Sequence, residues 1–177
     1  MIFHTAFLTF LCLQRLGELV LARRNTRVLM AKGAVEVGAG HYPVIILLHT
    51  AWLVALAIAI WQLPVNWPLV AVYAVLQVFR VWILATLGER WTTRIIILPN
   101  APLVHNGPYR FLRHPNYLLV ACEIACAPAI FGLWELAILF SVLNAGVLLL
   151  RIRTENRALA LDAVTGGELQ SAIAEQP

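Results

Sequence analysis

Five apolar stretches dominate the chain, and the polar positions between them come in short clusters. A helix needs about 20 apolar residues to cross the hydrocarbon core of a bilayer. On that rule the pattern predicts spans over 2–21, 43–63, 68–87, 115–131 and 134–150. Between the last two the connection is so short that they form a tight helical hairpin, with Pro128 kinking the fourth span near its far end. The expected fold class is therefore all-α, a polytopic membrane protein of about five transmembrane helices.

The polar clusters are not equivalent. Arg23, Arg24, Arg27 and Lys32 follow the first span. Arg90, Arg94, Arg110 and Arg113 follow the third, and Arg151, Arg153 and Arg157 follow the fifth. The opposite connections, 62–67 and 131–134, carry no basic residue. Lys and Arg concentrate on the cytoplasmic side of membrane proteins, so the N-terminus is expected outside and the C-terminus in the cytoplasm. That arrangement also puts the loop before the fourth span and the segment after the fifth on one side, where they can meet.

Composition agrees. Of 177 residues 61% are hydrophobic and 12% charged, whereas a soluble domain is nearer a quarter charged. One membrane domain, 1–177, is expected, with a short amphipathic helix from about residue 151 and a loosely attached polar tail after Leu161. The N-terminal MIFHTAFLTF has no basic n-region or small-residue cleavage site, so it is read as a retained span. The net charge of +4 reflects topology and lipid headgroup anchoring. Neither nucleic acid nor an obligatory protein partner is expected. Cys122 and Cys126 are one helical turn apart, but no further His or Cys accompanies them, so they are read as small apolar residues and not as a metal pair.

Four ionisable residues fall inside the spans: Arg15, Glu18, Arg80 and Glu123. Each costs about 2.5–3.5 kcal/mol at a helix centre unless paired or facing a polar cavity. Arg15 and Glu18 are three apart and can pair along one face. Arg80 and Glu123 have no local partner, so a bond between the third and fourth helices is expected. Arg15 and Glu18 read as structural glue. Glu123, about two turns into the fourth helix, is assigned to a pocket floor. His49 reads as a hydrogen-bonded core histidine.

The segment 98–117, LPNAPLVHNGPYRFLRHPNY, has a different character. Its four prolines forbid a continuous helix, because each lacks a donor and restricts the residue before it. Pro115 can open the next helix, which sets Arg113 and His114 at a helix N-terminus suited to an anionic group. A basic, aromatic loop is also how an ordinary membrane helix is anchored at the interface.

The run GPYRFLRHPNY resembles the signature of the isoprenylcysteine carboxyl methyltransferase family of integral-membrane enzymes. The run RIRTENRAL, 151–159, resembles that family's second block, an arginine followed four residues later by a glutamate. The resemblance implies an S-adenosylmethionine-dependent methyltransferase whose loop 98–117 wraps the cofactor. Pro102, Leu103, Val104 and Tyr109 match one group of cofactor contacts, and His114, Pro115, Asn116 and Tyr117 match a second. Glu155 matches a glutamate that touches the cofactor, and Arg151 an arginine beside the acceptor. These two are the catalytic candidates, and Arg151 with Glu123 the acceptor-binding ones. Without the resemblance, Arg151 and Glu155 would read as a surface ion pair of little worth.

Methyl transfer from a sulfonium needs alignment and exclusion of water more than acid–base power. The implied acceptor is a carboxylate or other oxygen on a prenylated or lipid-like molecule, reached from the bilayer, with the donor site facing the cytoplasm. The chain departs from the family in carrying Asn156 where a second glutamate is usual, and in lacking the aromatic C-terminal extension of the eukaryotic enzymes. Two other readings stay open: a phospholipid headgroup N-methyltransferase, and a non-enzymatic transporter or assembly subunit using the four membrane charges as a relay. Against the latter, the chain shows no inverted repeat or pair of broken helices.

Overall fold

The computed structural model describes residues 1–165. Five helices form: α1 (Ile2–Ala31), α2 (Tyr42–Ala59), α3 (Trp67–Leu87), α4 (Pro115–Ala129) and α5 (Trp134–Thr165). Two short strands, β1 (Val35–Val37) and β2 (Ile95–Ile97), pair antiparallel in the register Val35↔Ile97, Glu36↔Ile96 and Val37↔Ile95. Single 3-10 turns at Ala39–His41, Gly88–Arg90 and Gly107–Arg110 complete the connections. The fold is helical, as expected.

Among the described residues four helices are long and apolar enough to cross a membrane: those of α1, α2, α3 and α5. The fourth expected span is shorter than the hydropathy pattern suggests. With 15 residues, α4 reaches only about 22 Å at 1.5 Å per residue. It crosses as the interior helix of the bundle, ending where the Asn66 amide before α3 donates to the Ile130 carbonyl, with Leu119, Ile124 and Ala127 at most 1% exposed. Pro115 opens it, and Gly132 closes it at φ +72°. There the Leu133 amide donates to the Pro128 carbonyl and the Gly132 amide to that of Ala129, a left-handed glycine cap.

Pro128 thus lies in the last turn of α4 instead of kinking a longer span. Its missing amide leaves the Ile124 carbonyl free of its helical partner, and the Trp52 indole N–H from α2 donates to it at 3.2 Å. The α4–α5 hairpin has the short connection expected of it.

A second difference concerns the C-terminal part. No break separates the last span from a short helix near residue 151, because α5 continues to Thr165. Its extension is held by the β1–β2 ribbon, where Ile95 and Ile97 pack on Ala158 as a small apolar cluster. Asp162 and the residues just after it, expected in the loose tail, are therefore helical. The remainder of that tail lies outside the described residues.

The membrane charges pair as expected and also across pairs. Arg15 Nη1 donates to Glu18 Oε2 at 2.9 Å, and Arg80 Nε to Glu123 Oε1 at 2.8 Å. Arg15 Nη2 also reaches Glu123 Oε2 at 2.9 Å, and Arg80 Nη1 reaches Glu18 Oε1 at 2.7 Å. Two arginines and two glutamates from α1, α3 and α4 so form one neutral network. His49 Nδ1 bonds the Ile45 carbonyl at 2.9 Å, a helix-internal partner.

Candidate functional site

The site is assembled at one end of the bundle. There α1 and α3 end, α4 begins, and the extension of α5 crosses the ribbon. Asn25 fixes this end by donating to the carbonyls of Gly88 and Trp91 at 3.1 and 2.8 Å. The prolines keep the loop after β2 out of helical conformation, and Arg90 Nη1 donates to the Pro102 carbonyl to hold it down. Gly107, at φ +55°, lies so close to α3 that a Cβ there would meet the Thr86 side chain.

Between loop and helices lies a cavity of about 800 Å³, within the usual range for small-molecule sites, about 300–1,000 Å³. Pro102, Leu103, Val104 and Tyr109 line it from the loop. His114, Asn116 and Tyr117 line it from the mouth of α4, and Arg151 and Glu155 from α5. The two separated segments therefore meet.

Their contacts are direct. The Tyr117 hydroxyl donates to Glu155 Oε2 at 2.5 Å. His114 Nε2 and Asn156 Oδ1 are 3.1 Å apart, and the His114 ring stacks on Tyr117 with centroids 5.4 Å apart. Asn156 thus ties α5 to the loop as a neutral partner. Arg151 is 6% exposed. Its Nη2 donates to the Thr93 carbonyl at 3.0 Å, and its guanidinium carbon lies 5.7 Å from the Tyr117 ring centroid. Among the described residues it bonds no carboxylate, so the surface-pair reading of Arg151 and Glu155 does not describe this geometry.

Two expectations need correction. Pro115 is buried and is not among the residues lining the cavity; it opens the first turn of α4. Glu123 is not a pocket floor. It is 0% exposed, and its carboxylate is taken up by Arg80, Arg15 and Gln77. A buried carboxylate so surrounded has no capacity left for an acceptor.

Several lining residues escaped the sequence reading. Asp162 accepts from the Asn100 amide through Oδ2 at 3.3 Å, while its buried Oδ1 has no partner among the described residues. Arg94 lines the cavity and pairs with Glu36 at 2.7 and 2.9 Å over the Tyr42 ring. That hydrogen bond holds the Arg94 pKa above its ordinary value. The only sequence signals for these residues were a basic cluster and an acid in a polar tail. Burial, with Glu155 adding to it, pushes the Tyr109 phenol well above its usual range, so it stays protonated. Among the described residues no group of His, Cys, Asp and Glu could hold a metal ion.

Long apolar helices with a cavity between loop 98–117 and α5 have a counterpart among known proteins. The profile of the isoprenylcysteine carboxyl methyltransferase (ICMT) family matches residues 69–161. The chain belongs to this family, and with its four long apolar helices it is an integral membrane protein of the methyltransferase kind. It is 38% identical over 157 residues to the uncharacterized protein YpbQ of Bacillus subtilis, covering 86% of this chain and 94% of that one. An uncharacterized protein of Haemophilus influenzae is 26% identical over 121 residues, covering 63% of this chain and 69% of that one. No solved structure matches.

Proposed function

We propose that the protein transfers a methyl group from S-adenosylmethionine to an oxygen, a carboxylate for preference, of a prenylated or other lipid-like acceptor. The donor cavity would face the cytoplasm. The observation that carries this reading is the state of Arg151. It is a buried guanidinium on the wall of the cavity, free of any described carboxylate and one helical turn from Glu155.

The residues present fit the cofactor. The buried Asp162 Oδ1 is an acceptor in want of a donor, and a cofactor ammonium or hydroxyl would supply one. Glu155, oriented by the Tyr117 hydroxyl, offers a second carboxylate. The apolar Leu103 and Val104 would cover a flat base, with Pro102 shaping the same wall. When bound, the cofactor supplies a methyl carbon already activated by a sulfonium sulfur.

The remaining work belongs to the protein. The fork of Arg151 matches a carboxylate in two parallel hydrogen bonds. Its bond to the Thr93 carbonyl and its place beside the Tyr117 ring fix its direction. The loop and α5 exclude water from the reacting atoms, which raises the effective concentration of donor and acceptor.

Calorimetry of the purified protein with S-adenosylhomocysteine tests the reading: saturable binding is expected, and a folded protein that binds none would refute it. Methyl transfer to prenylcysteine, to alkyl phenols and to amine headgroup lipids then identifies the acceptor. Transfer to amine lipids alone would replace the oxygen acceptor.

A further inference from the structure

A second, smaller cavity of about 160 Å³ is lined in part by Thr93, whose carbonyl accepts from Arg151. Its walls are Ala22, Arg23, Thr26 and Arg27 on α1, and Thr93 with Arg94 on the strap between α3 and β2. Arg23 and Arg27 are one helical turn apart and share a face. Both are exposed, and neither pairs with a carboxylate among the described residues. The Thr26 hydroxyl, between them in sequence, has no described hydrogen-bond partner either. The charge of Arg94 is already answered by Glu36, so the unmatched positive charge comes from the α1 face.

The depth of this cavity follows from helix length. With 30 residues, α1 is about 45 Å long, against a hydrocarbon core of about 30 Å. Its uncharged apolar stretch is the first part of the helix, so Arg23 and Arg27 emerge at headgroup level. The Thr93 hydroxyl is taken by Tyr42 at 3.0 Å. A small basic cavity at that level therefore offers two guanidinium groups and the Thr26 hydroxyl, which match a phosphate group in charge and donor set.

We propose that this cavity is a phosphate-binding site, filled by an anionic phospholipid headgroup or by free phosphate. It is separate from the larger cavity, although Arg94 borders both. The two share the strap: Thr93 lines the small cavity, and its carbonyl accepts from Arg151 at 3.0 Å.

The full chain, in nanodiscs of mixed phosphatidylglycerol and phosphatidylcholine, is released for native mass spectrometry. Wild-type protein is expected to retain phosphatidylglycerol selectively, and Arg23→Gln/Arg27→Gln to lose roughly tenfold of that retention. Arg24→Gln is the control, since Arg24 sits on the same helix but does not line the cavity. Should the double variant not fold, Arg27→Gln alone is expected to show a partial loss. In a second arm, detergent-purified protein is melted in inorganic phosphate and in chloride at equal ionic strength. A phosphate-specific rise in Tm that the double variant lacks, without lipid retention, assigns the site to free phosphate. Equal loss in Arg24→Gln, or no selectivity in either arm, overturns the proposal.

Discussion

At the scale of single residues, charge placement separates structure from chemistry. Arg151 and Glu123 are both buried ions near the same helices, yet their surroundings differ. Glu123 is saturated by two arginines and a glutamine, whereas Arg151 leans on a carbonyl and an aromatic ring. Glu123→Ala should destabilise the protein by about 3–5 kcal/mol, because Arg15 and Arg80 lose a buried counter-ion. Thermal unfolding in detergent measures this, and S-adenosylhomocysteine affinity of the folded fraction should stay near wild type. Arg151→Ala should do the reverse. Turnover is expected to fall by about 100-fold through lost alignment, with Tm and S-adenosylhomocysteine affinity little changed. Loss of affinity in step with turnover would contradict the role proposed for Arg151. Motif spacing made Arg151 and Glu155 legible as a pair on one helix face. It did not show that Tyr117 takes the Glu155 carboxylate, since that contact joins residues from two distant segments.

At the scale of elements, the loop 98–117 and the β1–β2 ribbon do the positioning. Prolines and a glycine announced the loop as non-helical, and Gly107 proves to be a steric requirement as well as a conformational one. Gly107→Ala adds a Cβ at φ +55° against Thr86. A strained backbone position of this kind costs about 1–3 kcal/mol. The loop should then stand off α3, lowering S-adenosylhomocysteine affinity by roughly tenfold in calorimetry, with a smaller effect on Tm. The ribbon was not legible. Strands of three residues carry too little periodicity to stand out beside long apolar helices, and their pairing is a contact between separate connections. Yet the ribbon explains why α5 runs on to Thr165: Ile95 and Ile97 give its second half an apolar surface to pack on. Without that surface, the polar sequence after residue 150 reads as a separate helix and a frayed tail.

At the scale of the whole molecule, the ends of α1, α3 and α5 and the start of α4 converge on one cavity, as alternating spans require. The proposed orientation adds which compartment that end faces. A C-terminal fluorescent protein fusion should be bright and a C-terminal alkaline phosphatase fusion inactive, with the opposite outcome for N-terminal fusions. Reversed results would move the donor cavity to the outside. What the sequence determined by itself was local or periodic: helices from runs of apolar residues, an irregular loop from its prolines, a family from two motifs. Only the tertiary structure decided that α4 is a short interior helix enclosed by its neighbours, that Glu123 belongs to a closed charge network, and that Asp162 and Asn156 line the cavity. Periodicity records how much of a segment avoids water, whereas lipid, a neighbouring helix and a ribbon all satisfy an apolar face equally. Which of them a face meets depends on contacts between distant parts of the chain.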